Sequence, residues 1–281
     1  MEVRIITTKQ ILCFGKYLKE DERSSATIEK YLREVRLFAA YLNGSEVTKS
    51  GIAQWKNQLL TEHCAPSTVN GKLSALDRFL AYMGWQDCRV KHLRLQRRLF
   101  RESGRELTKE KYKRLIATAN KAGKERLSLL METICATGIR VSEVCSITVE
   151  AARAGKTEIS LKGKIRTILL PGKLCRKLLK YAKKNKTASG ELFLTRSGHS
   201  LSRKQIWAEM KALCKQANVE PSKVFPHNLR HLFARTFYRI CHDIARLADV
   251  LGHSSIETTR IYLISTGIEH AKLLNQMRLL L

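Results

Sequence analysis

No stretch of about 18 consecutive apolar residues occurs in the 281-residue chain, so nothing in it reads as a membrane-spanning helix. The N-terminus MEVRIITTKQ also lacks an apolar core of signal-peptide length, and a cytoplasmic location is expected. Cysteine is present without the spacing that binds metal. Cys13, Cys64, Cys88, Cys135, Cys145, Cys175, Cys214 and Cys241 include no C-x-x-C pair and no clustered histidine partners. Small buried thiols in a reducing compartment are the simpler reading. Internal repeats and low-complexity tracts are missing as well. Most telling is the shortage of acid: 25 Asp+Glu face 52 Lys+Arg, a formal charge of +27. That surplus exceeds what solubility requires and points to a polyanionic partner, nucleic acid before a membrane surface, because the cations are not collected beside an anchor.

A chain this long with 44% hydrophobic residues can bury a sizeable core and divides readily into two domains. TIEKYLREVRLFAAYL repeats apolar side chains at three- and four-residue spacing through Ile28, Tyr31, Leu32, Val35, Phe38, Ala39 and Leu42, which predicts a helix closed by Asn43-Gly44. STVNGKLSALDRFLAYMG predicts another, with Val69, Leu73, Leu76, Phe79, Leu80 and Met83 on one face, Ser67 or Thr68 as cap and Gly84 at its end. IAQWKNQLL supplies a shorter one, and a bundle of about four helices is expected. The stretch RVKHLRLQRRLFRESGR, Arg89 to Arg105, then carries seven basic residues and one acidic, and reads as a basic strap along a phosphate backbone. Boundaries are placed at 1–97 for the helical domain, 98–105 for the linker and 106–281 for the second domain. Thr108 is expected to cap a new helix.

Only one strand signal is convincing. TEISLKGKIRTILLP, residues 157 to 171, reads as a hairpin turning at Gly163, with Ile159, Leu161, Ile165, Ile168 and Leu170 as its apolar residues and Lys162 and Lys164 at the bend. Downstream, Ser202-x-x-Gln205 is a capping-box pattern ahead of a helix bearing Ile206, Met210, Leu213, Cys214 and Ala217.

In LGHSSIETTRIYLIS, residues 251 to 265, His253 precedes Tyr262 across a polar stretch. A tyrosine between Ile261 and Leu263 is either a packed core residue or something chemically active. To attack a phosphodiester, a phenol with a pKa near ~10 needs fixed cations, and arginine suits phosphate because its planar fork donates paired hydrogen bonds and keeps its charge. A lysine or histidine must protonate the departing oxygen. ATGIRVSEV places Arg140 after a glycine at a helix start, where it either serves that purpose or pairs with Glu143. FPHNLRHLFARTFY puts His227 and Arg230 on one helical face once the helix begins at Pro226. Each piece alone has an ordinary structural explanation.

The ordered set GIRVSEV, a lysine-bearing hairpin, HNLRH and LGHSSIETTRIY resembles the catalytic domain of the tyrosine recombinase (phage integrase) family, and the N-terminal helices resemble that family's SAM-like core-binding domain. The resemblance implies a mainly α chain: a helical bundle, then a mostly helical catalytic domain with a small antiparallel sheet. It implies Arg140 and Arg230 clamping the scissile phosphate, His227 and His253 hydrogen-bonding it, Tyr262 as nucleophile, and Lys162 as the acid, with Lys164 as competitor and Glu143 orienting Arg140. Site-specific recombination through a 3′-phosphotyrosine and a Holliday junction follows, without ATP, metal or cofactor. Double-stranded core-site DNA is the implied partner, with self-association to a tetramer through the apolar tail STGIEHAKLLNQMRLLL and a second recombinase or accessory protein as further candidates. The chain starts close to the core-binding region, which suggests a simple-site enzyme of the Xer type or of a small mobile element. A type IB topoisomerase and a silent DNA-binding regulator are the alternative classes.

Overall fold

The computed structural model describes residues 3–95, 106–161, 164–262 and 275–276, with Leu161 and Lys164 described in their backbone alone. Two compact units divide at Arg97, Met1–Arg97 and Arg98–Leu281.

In the first unit α1 (Thr8–Glu20), α2 (Ser25–Leu42), α3 (Lys49–Thr61) and α4 (Pro66–Tyr82) surround a core of Phe14, Val35, Phe38, Trp55, Leu73 and Phe79. The predicted spacing is what buries these side chains: Val35, Phe38 and Leu42 are three and four residues apart on α2, so they share the face turned inward. Phe14 meets Phe79 edge-on at 5.3 Å, and Phe38 tilts against Trp55 at 4.9 Å, the offset geometries that aromatic quadrupoles favour. Asn43 ends α2 at φ 45°, in the left-handed region that an asparagine tolerates. The expected cap of α4 is corrected: neither Ser67 nor Thr68 is its N-cap. Ala65 occupies that place without a side-chain bond, because Pro66 begins the helix and has no N–H to satisfy. The expected strap is also revised at its start. Asn70 exchanges hydrogen bonds of 2.9 Å with both backbone groups of Leu93, and His92 bonds Asp77 at 2.8 Å, which holds this stretch on α4. Residues 96–105 lie outside the described residues.

In the second unit α5 (Lys109–Lys121), capped by Thr108 as predicted, leads to α6 (Glu125–Thr137). Helix α6 is buried on most of its sides, Ser128, Thr133 and Thr137 included, and packs against α5, α8 (Gly172–Lys184), α9 (Arg203–Ala212) and α11 (Pro226–Cys241). Around this centre run α7 (Val149–Ala154), the strands β1 (Lys156–Leu161) and β2 (Lys164–Leu169), α10 (Cys214–Ala217), α12 (Ile244–Leu251) and α13 (Ile256–Arg260). The strands pair antiparallel from Lys156 opposite Leu169 to Leu161 opposite Lys164. Ile159 and Ile168 are buried while Ile165 is 73% exposed, so the apolar set expected for the hairpin splits between its two faces. Two further expectations change. The helix after Arg140 is a 3-10 segment, Val141–Ser146, and the one after Ser202 breaks at Leu213, although all five of its predicted apolar residues are buried. All the cysteines are free, but only Cys88, Cys175 and Cys214 are fully buried and Cys145 is exposed, because it sits on the outer side of that 3-10 turn. The fold is therefore mainly helical with a small antiparallel sheet. Lys162 and most of the tail after Tyr262 lie outside the described residues.

Candidate active site

Three chain segments end at one place. Helix α6 stops at Gly138, whose φ of 65° turns the chain so that Arg140 enters the pocket. Arg230 lies one turn into α11, started by Pro226. Helix α12 stops at Gly252, and the turn that follows carries His253 ahead of α13 and Tyr262. Helix ends leave unpaired carbonyls, and here arginines satisfy them. Arg230 donates through Nη1 to the Gly138 carbonyl and through Nη2 to that of Leu251 at 2.8 Å. Arg140 reaches the Gly252 carbonyl at 3.3 Å.

Arg230 is 2% exposed, a charged group held inside by its acceptors. Its Nε donates to the Tyr262 Oη at 3.4 Å and its Nη2 to His253 Nε2 at 2.9 Å. Burial draws the Arg230 pKa down, and Tyr262 opposes that shift. Tyr262 itself is 2% exposed. Its ring stacks on His253 at 5.6 Å and 13°, and lies 4.3 Å from the ring of His231 and 5.9 Å from that of His227. The ring of this tyrosine is therefore packed, while its hydroxyl meets a guanidinium.

A guanidinium nitrogen can only donate, so His253 Nε2 is an acceptor and the ring proton sits on Nδ1, 2.8 Å from the hydroxyl oxygen of buried Thr259. Burial first, and then the charges of Arg230, Arg140 and Arg166, lower the His253 pKa from 6.5 to about 4. An unfolded chain would take up this proton earlier than the folded one. Stability from this group is accordingly complete above pH 6.5 and is lost as pH falls toward about 4. We expect His253→Gln to flatten part of the acid-side fall in melting temperature; a difference from wild type that is the same at pH 4 and pH 7 would contradict a buried neutral ring.

Glu143, 3% exposed, accepts from the Arg140 backbone N–H at 2.9 Å and from its Nη1 at 3.0 Å. The same carboxylate accepts from Arg166 of β2. Arg140, His227, Arg230 and Tyr262 line one cavity of about 540 Å³, with Lys204 and the half-exposed Trp207 of α9 on its wall. Of the residues expected from sequence, Arg140, Glu143, His227, Arg230, His253 and Tyr262 come together here. Lys162 is outside the described residues, and Lys164 is placed by its backbone at the hairpin's end. Arg166, His231 and Thr259 were not anticipated. Strand alternation carried a signal for the first: Arg166 shares a face with Ile168 and stands opposite Ile159, both buried.

Residues 105–267 match the phage integrase family, and residues 12–87 match the phage integrase N-terminal SAM-like domain. Tyrosine recombinase XerA of Pyrococcus furiosus is 27% identical over 94% of this chain and 94% of its own length. Tyrosine recombinase XerD of Brucella suis is 30% identical over 86% of this chain and 88% of its own. Among solved structures, the XerH recombinase bound to its difH substrate matches with a TM-score of 0.69 at 20% identity, over 95% of this chain and 84% of that one. A lambda integrase dimer on a core site matches with a TM-score of 0.71 at 18% identity, over 92% and 77%.

Proposed function

The chain belongs to the phage integrase family and is a tyrosine-type site-specific recombinase, and from that premise we propose that Tyr262 is its nucleophile and Arg140 and Arg230 its phosphate clamp. The observation that carries this is the contact of Arg230 Nε with the phenolic oxygen, 3.4 Å apart, at the edge of the cavity that Arg140 also lines. A scissile phosphate entering there takes up guanidinium donors already fixed by backbone carbonyls, so little reorganisation accompanies the charge that develops. Tyr262 Oη bonds to phosphorus, the bond to the 5′ oxygen breaks, and a 3′-phosphotyrosine forms. His253 is neutral and its Nε2 accepts from Arg230, so it becomes free to receive the phenolic proton when that N–H turns to the phosphate; His227, exposed at the cavity, is suited to bond a phosphate oxygen.

The departing 5′ oxygen receives its proton from Lys162 or Lys164 of the hairpin. A 5′ hydroxyl of a second duplex then attacks the phosphotyrosine, and one strand is exchanged with no bond energy lost to water. The substrate is double-stranded core-site DNA, drawn by the chain's +27 charge through counterion release. Self-association extends to a tetramer on that DNA, acting in the cytoplasm for chromosome or mobile-element recombination.

On a nicked duplex carrying the selected core site, wild-type protein is expected to form a denaturation-resistant adduct in EDTA. No adduct under those conditions overturns the proposal. Lys162→Ala and Lys164→Ala are then compared on DNA with sulfur in place of the 5′ bridging oxygen. Sulfur leaves without protonation, so the variant it rescues is the one that has lost the acid.

A further inference from the structure

We propose that Arg166 is a positioning residue that fastens Arg140 and Arg230 into one assembly, by bridging the Glu143 carboxylate to the Leu251 carbonyl. The inference rests on the site reading above and adds a residue which that reading does not use.

Arg166 enters from β2, the strand that begins at Lys164, and not from the segments that carry Arg140, Arg230, the histidines and Tyr262. One end of its fork donates to Glu143, which already holds Arg140 by two bonds, at 2.9 and 3.0 Å. The other end donates to the Leu251 carbonyl, the same oxygen that takes a bond from Arg230 Nη2 at 2.8 Å. A continuous path thus runs from Arg140 through Glu143, Arg166 and Leu251 to Arg230, His253 and Tyr262. The cavity wall does not include Arg166 among the described residues, and its side chain is 14% exposed, so it is placed behind the arginines instead of beside incoming DNA.

Charge neutrality does not explain it. Arg140 alone balances Glu143, and a second guanidinium on the same carboxylate adds repulsion between the arginines. Burial and then Arg140 indeed pull the Arg166 pKa down, against the pull of Glu143. Its Nε is buried with no acceptor among the described residues, so the two Nη contacts set where the group sits. The turn is shaped to admit it: Gly252 has φ 64°, and a Cβ there would run into Arg166 Cδ. A planar fork that spans a carboxylate and a carbonyl is a task for arginine, and an ammonium cannot do it in the same geometry.

Single-turnover cleavage of the nicked duplex tests this with Arg166→Met, Arg166→Lys, Glu143→Gln and the Arg166→Met/Glu143→Gln double variant. Arg166→Met is expected to bind DNA as wild type does, reach the same final adduct fraction, and cleave on the order of 10²-fold more slowly, the usual result of a small misplacement. Arg166→Lys is expected to stay slow. The acid limb of the rate should move to higher pH in Arg166→Met and stay in place in Arg166→Lys. His253 keeps Arg230 and His227 of α11, Arg140, Thr259 and Tyr262 as neighbours in both variants and loses a nearby cation only in the first. The double variant should be no slower than Glu143→Gln, because both changes cut one path. An unchanged rate in Arg166→Met, a loss confined to the adduct fraction with a lowered melting temperature, an unmoved acid limb, full recovery in Arg166→Lys, or losses that multiply in the double variant would each overturn the inference. Failure of the underlying site reading looks different: wild-type protein itself then gives no adduct.

Discussion

Tyr262→Phe is expected to leave DNA binding intact and to abolish the covalent adduct entirely. The ring of Tyr262 packs among His227, His231 and His253, and a phenylalanine ring keeps those contacts. What disappears is one oxygen, the atom proposed to attack phosphorus, so no slower version of the same step remains. A secondary cost falls on stability, because Arg230 Nε then lacks its 3.4 Å partner. A donor left unmet inside a protein costs about 1–3 kcal/mol, and the variant should melt somewhat below wild type. Gel shift, melting temperature and denaturing electrophoresis after incubation with nicked core-site DNA separate these effects. An adduct formed by the variant would remove Tyr262 from its role.

Arg230→Ala is the second large change expected. Its guanidinium meets the tyrosine, His253 and the Gly138 and Leu251 carbonyls together. Loss of one preorganised donor to a developing anion slows chemistry by roughly 10²- to 10³-fold, and a clamp that presents more than one donor should exceed that. The deletion also takes the Arg230 bond from the Gly138 carbonyl, at about 1–3 kcal/mol, while the Leu251 carbonyl keeps Arg166, so part of the loss lies in folding. Arg230→Lys separates the two: it restores a positive charge without the fork, and should fold better than alanine yet still cleave about 10²-fold slower than wild type. Cleavage by the lysine variant at the wild-type rate would show that charge alone matters and would remove the bidentate clamp. Single-turnover rates, scaled to the folded fraction of each variant, decide the matter.

The sequence carried much of this arrangement because its segments are locally consistent. Helical spacing around Phe38 and Leu73, the Thr108 cap and the Ser202 capping box all depend on neighbours a few residues away, and each forms. Where sequence reasoning missed, the deciding contact was distant or the residue doubly suited. Pro66 displaced the capping role expected of Ser67 or Thr68. Arg89 to Leu93, read from charge alone, lies on α4 because Asn70 and Asp77 hold it there. Arg166 was hidden by an ordinary strand pattern, since nothing in KIR says that a glutamate 23 positions earlier waits for it. For Arg140, pairing with Glu143 does not compete with the proposed phosphate contact: the carboxylate that pairs with the arginine also holds it where it lines the cavity.

Tyr262 lies against Arg230 within a single polypeptide. With the roles proposed above, such a subunit borrows neither its attacking atom nor that half of its clamp from a neighbour. In the proposed tetramer, an order of strand exchange would then have to be imposed by bending some pockets out of shape while sparing others, a mechanical veto exercised on machinery that every copy already owns.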